Sequence, residues 1–147
     1  MNLTFDSNIW IGAYDAYDPQ QPVYLEVLKR IISSNGIMMY SPLLMEVEVL
    51  GSIARKTRNY AKINDAQKRM RSISRQIWIP LDNWLATEAA RCATSFYLRG
   101  ADAVYVATAL SNNATLVTFD QEIIDRASSA LPVLKPDEWL KTRAQPL

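Results

Sequence analysis

A chain of 147 residues, 49% hydrophobic and 21% charged, is long enough for one real core and has the polarity of an ordinary globular domain. It has no histidine and one cysteine. That excludes Ser-His-Asp and Cys-His catalysis, histidine-ligated metals, thiolate zinc sites and an internal disulfide framework.

Any metal must therefore be held by oxygen, which favours Mg²⁺ or Mn²⁺. No apolar run approaches the roughly 20 residues of a membrane helix. The opening "MNLTFDSN" has neither a basic segment nor a long apolar one, so a cytoplasmic location without membrane contact is expected.

Short β-type runs alternate with longer helical ones. "LTF" (3–5) reads as a strand ending at Asp6. Residues 22–34 carry apolar side chains at 24, 25, 28, 31 and 32, the spacing of one helix face, and Asn35-Gly36 is placed to end that helix. "IMMY" (37–40) is a second strand. Ser41 as cap and Pro42 in the first helical position open a helix to about Arg55. A basic helix (60–76) precedes a third strand, "IWI" (77–79), in which Trp78 is expected to be central. Two helices follow, 83–98 and 102–111, the first holding Cys92 as a small core residue. A fourth strand (114–118), a short helix (120–127) and a proline-flanked edge strand (132–136) complete the pattern.

This alternation implies a single α/β domain of three layers: a central parallel sheet of four to five short strands flanked by helices. The domain is expected to span 1–140, with 141–147 as a loosely held C-terminal tail.

In such sheets ligands bind beyond the carboxyl ends of the strands. Asp6 follows the first strand and Asp120 the fourth, which puts both on that edge. Asp102 begins the apolar helix in "RGADAVYVATAL" and faces the same edge if the helix packs with its N-terminus there. Taken singly, Asp102 and Asp120 also suit helix starts, and Asp6 a turn. A fourth carboxylate is offered twice, by Glu46 and Glu48. Two positions apart on a helix is about 200°, so they cannot share a face. An apolar stripe of Leu43, Val47, Leu50 and Ala54 is read between them, and amphipathicity leaves the choice open.

"TFDSN", "SPLLMEVEVLGSIAR", "RGADAVYVATAL" and "ATLVTFDQEI" together resemble the four acidic motifs of PIN-domain ribonucleases, and are most similar to VapC-type toxins of toxin–antitoxin pairs. The likeness runs over nearly the whole chain in the right order. In the family the second acidic residue lies six positions after the proline and begins an E-V-L-x-x-x-x-R-like run. That points to Glu48, with Glu46 in reserve. The resemblance implies Mg²⁺-dependent cleavage of RNA, a homodimer and a partner antitoxin.

The residues agree with that chemistry. Four crowded carboxylates repel unless a divalent cation relieves them, and such a cation lowers the pKa of a bound water and orients a phosphate without any histidine base. Asp6 and Asp102 are expected nearest the metal. Glu48 and Asp120 then act through water or on a second ion, while Asn8 and Thr118 orient carboxylates or waters. The expectation is that all four carboxyl groups converge within reach of one ion.

Half of the cations lie in one stretch. Residues 55–75 hold eight of the sixteen Lys and Arg against one acid, Asp65, a local charge of +7 in a chain of +1 that leaves −6 for the rest. Arg55, Lys56, Arg58, Lys62 and Arg69 are candidate phosphate contacts beside the acidic edge. A solvated helix face, or a surface for an acidic antitoxin segment, fits the same pattern. Tyr14, Tyr17 and Tyr60 are read as packing or dimer contacts, with base stacking as the alternative.

The leading expectation is a toxin-type metal-dependent endoribonuclease. The alternative is a non-catalytic scaffold of the same fold that binds RNA or protein. A phosphoaspartyl phosphatase would want a second aspartate two positions after Asp6, where the chain has Asn8.

Overall fold

The computed structural model describes residues 1–142; of the expected tail, 143–147 lie outside the described residues. Five strands form one parallel sheet in the order β3-β2-β1-β4-β5: β1 (Asn2–Phe5), β2 (Met38–Pro42), β3 (Gln76–Ile79), β4 (Thr115–Val117) and β5 (Val133–Leu134). The α/β, three-layer expectation holds. Trp78 does not lie in a central strand: β3 is an edge, because both later strands add on the far side of β1. The proline-flanked segment is the opposite edge, as expected, though it pairs over two residues only.

Eight helices connect the strands among the described residues: α1 (Ser7–Ala13), α2 (Gln21–Ser33), α3 (Leu43–Thr57), α4 (Tyr60–Ser72), α5 (Asn83–Phe96), α6 (Gly100–Ser111), α7 (Gln121–Ala127) and α8 (Pro136–Lys141). The helices of the first two crossovers pack together, α1 on α2 and α3, and α3 on α4. In the third crossover α5 packs on α6, which lies over β2, β1 and β4. Right-handed crossovers that run first one way from β1 and then the other put these groups on opposite faces. α6 is therefore covered twice, by sheet and by α5. That explains an unbroken buried run from Ala103 to Ala109 in a helix with no polar face.

Several ends differ from expectation. Pro42 is the N-cap of α3 rather than its first residue, and Ser41 belongs to β2, its hydroxyl donating to Gln76 Oε1 at 2.9 Å. α2 stops at Ser33 with Ser34 as its cap, before Asn35-Gly36. On α2 Tyr24, Val27, Leu28 and Ile31 are buried, whereas Leu25 and Ile32 face outward. The buried stripe of α3 is Met45, Val49, Ser52 and Ile53. Val47, expected in the stripe, is 70% exposed.

Two helices were not foreseen. α1 starts directly at the end of β1, and α8 occupies residues otherwise read as strand end and chain tail. Trp139 of α8 is fully buried, edge-on to Phe5 with centroids 6.0 Å apart, and Arg30 stacks over it at 4.6 Å while donating to the Leu140 carbonyl.

Gly12 of α1 allows a close approach. A Cβ there would lie 2.1 Å from Cε2 of Tyr24, a buried ring held edge-on against Phe119. Cys92 is free and buried, as expected. Among the described residues no helix is long and apolar enough to cross a membrane.

Candidate active site

The sheet reverses its winding between β1 and β4, and at their carboxyl ends lies the crevice where α/β sheets take ligands. Register pairs Phe5 with Val117, so the residues that follow each strand meet there.

Asp6 leaves β1 and caps α1, 3% exposed. Its Oδ1 accepts from the Asn8 N–H at 3.5 Å and from the Ser7 hydroxyl at 3.4 Å, and its Oδ2 accepts from the Thr118 hydroxyl at 2.8 Å. Burial raises its pKa above the ordinary value. The Thr118 and Asn8 hydrogen bonds oppose the shift, and the charges of Asp120 and Glu48 add to it. Thr118 also accepts from the Asp120 N–H at 2.9 Å, so one buried hydroxyl ties the two acidic segments together.

Asp120 is the N-cap of α7, where Oδ1 accepts from the N–H groups of Glu122 at 2.9 Å and Ile123 at 3.4 Å. Among the described residues its Oδ2 has no hydrogen bond. Capping thus fixes the side chain through one oxygen and leaves the other uncommitted among the described residues.

Asp102 does not cap α6. Arg99 holds that position, and Asp102 is the third residue of the first turn, half-buried. Burial pushes its pKa up to about 6, with Asp6 and Asp120 adding repulsion, Arg99 opposing and Glu122 adding a little more.

The two glutamates of α3 part company. Glu46 is held by Arg71 at 2.5 and 2.9 Å, and that guanidinium lies over Trp78 at 4.6 Å, so it joins α3 to α4 and β3. Glu48 turns the other way. It accepts from the buried Tyr105 hydroxyl of α6 and adds to the charge felt by Asp6.

Tyr105 is the residue that sequence reasoning missed. It lies three positions after Asp102, one turn along the same face of α6, but in a helix apolar all round it read as core. Ser7 was missed as well. Asn8 reaches Asp6 through its backbone N–H, and the structure assigns its side chain no partner among the described residues.

All four carboxylates thus lie at one end of the sheet, where the charges of Asp120 and Glu48 add to the proton affinity of Asp6 and those of Asp6 and Asp120 to that of Asp102, but they do not close on a point. Among the described residues no three His, Cys, Asp or Glu side chains come within reach of a single ion. The expected convergence falls short because the groups answer to separate hydrogen bonds: Glu48 to Tyr105, Asp120 to the start of α7, Asp6 to Thr118. The donor chemistry nonetheless fits a hard dication, being all oxygen, anionic and partly desolvated.

The basic residues run along the end of α3 and through α4. Lys56 pairs with Asp15 at 3.5 Å and Arg69 with Asp65 at 3.0 Å. Arg58 ends α3 in a left-handed conformation, φ 47°. Arg55, Arg58 and Lys62 have no carboxylate partner among the described residues. Tyr17 and Tyr60 do not pack in the core, being 96% and 82% exposed. Two grooves in the surface lie beside this basic region rather than over the carboxylates.

No curated protein matches the chain at a significant level. Solved structures do. It is similar to VapC20 of Mycobacterium tuberculosis, described as a sarcin-ricin loop cleaving toxin, at 14% identity and a TM-score of 0.68 over 88% of this chain and 95% of that one. FitAcB of Neisseria gonorrhoeae gives 20% identity and a TM-score of 0.65 over 92% and 98%. VapBC2 of Rickettsia felis, bound to a DNA fragment from its promoter, gives 16% identity and a TM-score of 0.64 over 92% and 98%. At these identities the likeness is one of fold. The PIN domain profile matches residues 3–129, and the chain belongs to the PIN domain family.

Proposed function

We propose that this chain is a divalent-metal-dependent endoribonuclease of toxin type, acting on RNA phosphodiester bonds at the β1/β4 crevice. One observation carries the reading: Asp6, Glu48, Asp102 and Asp120, from four separate segments, meet at one sheet end and raise the proton affinity of Asp6 and Asp102. A fold has no stabilising reason to gather like charges there. Perturbed carboxylates in a crevice mark a site built for a counter-charge.

Asp6 and Asp102 would hold the ion most directly. Asp120 Oδ2 and Glu48 would complete the set or reach it through water. When bound, Mg²⁺ or Mn²⁺ supplies acidification of a water and neutralisation of phosphate charge. The chain's own residues do the rest. Thr118 locks the Asp6 rotamer, the α7 backbone aims Asp120, and Tyr105 steers Glu48 toward Asp6 rather than solvent.

The similar solved structures include toxin–antitoxin complexes, one of them from Klebsiella pneumoniae. This supports an antitoxin partner for the present chain; a cytoplasmic site of action and assembly as a homodimer belong to the same proposal.

The test is cleavage of a panel of structured RNAs with and without Mg²⁺ or Mn²⁺, beside Asp6→Asn and Asp102→Asn. Cleavage that needs the metal and falls by more than a hundredfold in both variants is expected. Incomplete closure of the carboxylates favours the second reading, a non-catalytic scaffold. Metal-independent RNA binding with no cleavage in any condition would select it.

A further inference from the structure

α1 and α3 pack side by side and both start near the carboxylates: Asp6 caps one, and Glu48 lies in the second turn of the other. Both end at the same place. Their C-terminal ends and the start of α4 enclose a groove of about 480 Å³, lined among others by Tyr14, Tyr17, Lys56, Asn59 and Lys62. That volume falls in the range of small-ligand sites.

We propose that this groove binds unpaired RNA nucleotides beside the scissile phosphate, Tyr17 and Tyr60 stacking on bases while Lys62 and Arg58 meet phosphates. The purpose of such binding rests on the nuclease reading; the binding itself does not.

The chemistry of the rim singles out this occupant. Tyr17 and Tyr60 expose 96% and 82% of their surface, and Tyr60 is the first residue of α4, next to the groove-lining Asn59. Neither can be a core residue, and two aromatic faces held in water beside cations suit stacking rather than burial. Lys56 is balanced by Asp15, so the groove's uncompensated charge is that of the lining Lys62, with Arg58 next to it in sequence between the lining Thr57 and Asn59, and it is positive.

A peptide partner fits less well here. The neighbouring groove, beyond Tyr14, is the more apolar one, lined by Leu25, Leu28 and Ile32. Tyr14 divides the two and is fixed there by donating to Asp65 at 2.8 Å.

The distance is also apt. At 1.5 Å per residue, Glu48 to Lys56 along α3 is about 12 Å, three to four nucleotides at the roughly 3.4 Å spacing of stacked bases. A strand threaded from groove to crevice must be single, since stacking on Tyr17 and Tyr60 needs free base faces. The inferred substrate is therefore a loop or an unpaired flank a few nucleotides from the cut.

The test is fluorescence anisotropy in EDTA, where no turnover occurs. Its probes are a labelled single-stranded uridine 10-mer, a blunt 10-base-pair RNA duplex and an acidic amphipathic 20-residue peptide. Wild type is expected to prefer the single strand, Tyr17→Ala/Tyr60→Ala to weaken it at least tenfold, and Lys62→Ala to reduce the salt slope by about 0.7. All three positions are solvent-facing, and circular dichroism with thermal melting confirms that the variants fold.

Absence of single-strand binding by wild type, equal binding of the duplex, or unchanged affinity in the tyrosine variant overturns the proposal. Loss of peptide binding alone in that variant also overturns it and gives the groove to a protein partner. If no RNA is cut under any metal but the tyrosine variant still loses the 10-mer, the nuclease reading fails and the groove stands.

Discussion

Replacing Asp102 by Asn should stabilise the metal-free protein at neutral pH. The folded chain pushes this carboxyl from 3.8 up to about 6, through burial first and then the charges of Asp6 and Asp120. Two units at about 1.36 kcal/mol each are roughly 3 kcal/mol. Asp102 is only half-buried, so solvent screening reduces this to about 1–2 kcal/mol. As the third residue of α6 the charge also gains about 0.3–1 kcal/mol from the helix N-terminus, which Asn forfeits. Repulsion and burial win, and the net gain is about 1 kcal/mol.

The sign fixes the pH window. A raised acid pKa means that the folded state keeps a proton the unfolded chain has released, so stability falls as pH rises from about 4 through about 6. Urea unfolding in EDTA should therefore show the variant ahead of wild type at pH 7.5 and level with it below pH 4. Saturating Mg²⁺ should close or reverse the gap, since a ligand at a hundred times its Kd stabilises the wild-type fold by about 2.7 kcal/mol. A variant less stable than wild type in EDTA at pH 7.5, or a gap that ignores pH, would refute the account of the carboxylate cluster.

The two glutamates of α3 give a second check: Glu48→Gln should lower metal-dependent RNA cleavage at least a hundredfold. Glu46→Gln should spare cleavage but lower the melting temperature by loosening Arg71. Thr118→Val removes the hydroxyl that donates to buried Asp6 and accepts from Asp120, and should destabilise by about 1–3 kcal/mol in urea titration while weakening Mg²⁺ binding in calorimetry. Tyr105→Phe keeps the ring in the core, so its effect should appear in the metal concentration needed for cleavage, with little change in thermal midpoint. Trp139→Ala, which empties the packing under Phe5 and Arg30, should cost about 3–5 kcal/mol.

Much of the architecture could be read from the chain. Strand–helix alternation dictated a parallel sheet, and a carboxylate directly after the first strand and another just beyond the fourth placed Asp6 and Asp120 on one edge. What escaped was information that only tertiary packing holds. Strand order decides that Trp78 lies at an edge, and no local pattern encodes it. α1 is seven residues long and begins at an aspartate that equally suits a turn. α8 hides behind two prolines, and one buried tryptophan with an arginine stacked on it supplies what propensity does not. On α3 the stripe through Val47 was plausible by spacing, but contact with α1 and α4 chose Met45, Val49 and Ile53 instead, which in turn sends Glu46 and Glu48 to different neighbours. Tyr105 was illegible because a helix covered on both sides offers no contrast between a packing residue and one with a polar errand.

The bare position at Gly12 ties the chemistry to a place with no charged group of its own. Even a methyl group there would strike the Tyr24 ring 2.1 Å away. The ring is itself packed edge-on against Phe119 at 5.7 Å, which lies in sequence between Thr118 and Asp120. Pressure applied at the far end of α1 would travel across two aromatic plates into the segment that fixes Asp6 and Asp120. The domain is thereby expected to tolerate almost no substitution at one silent glycine.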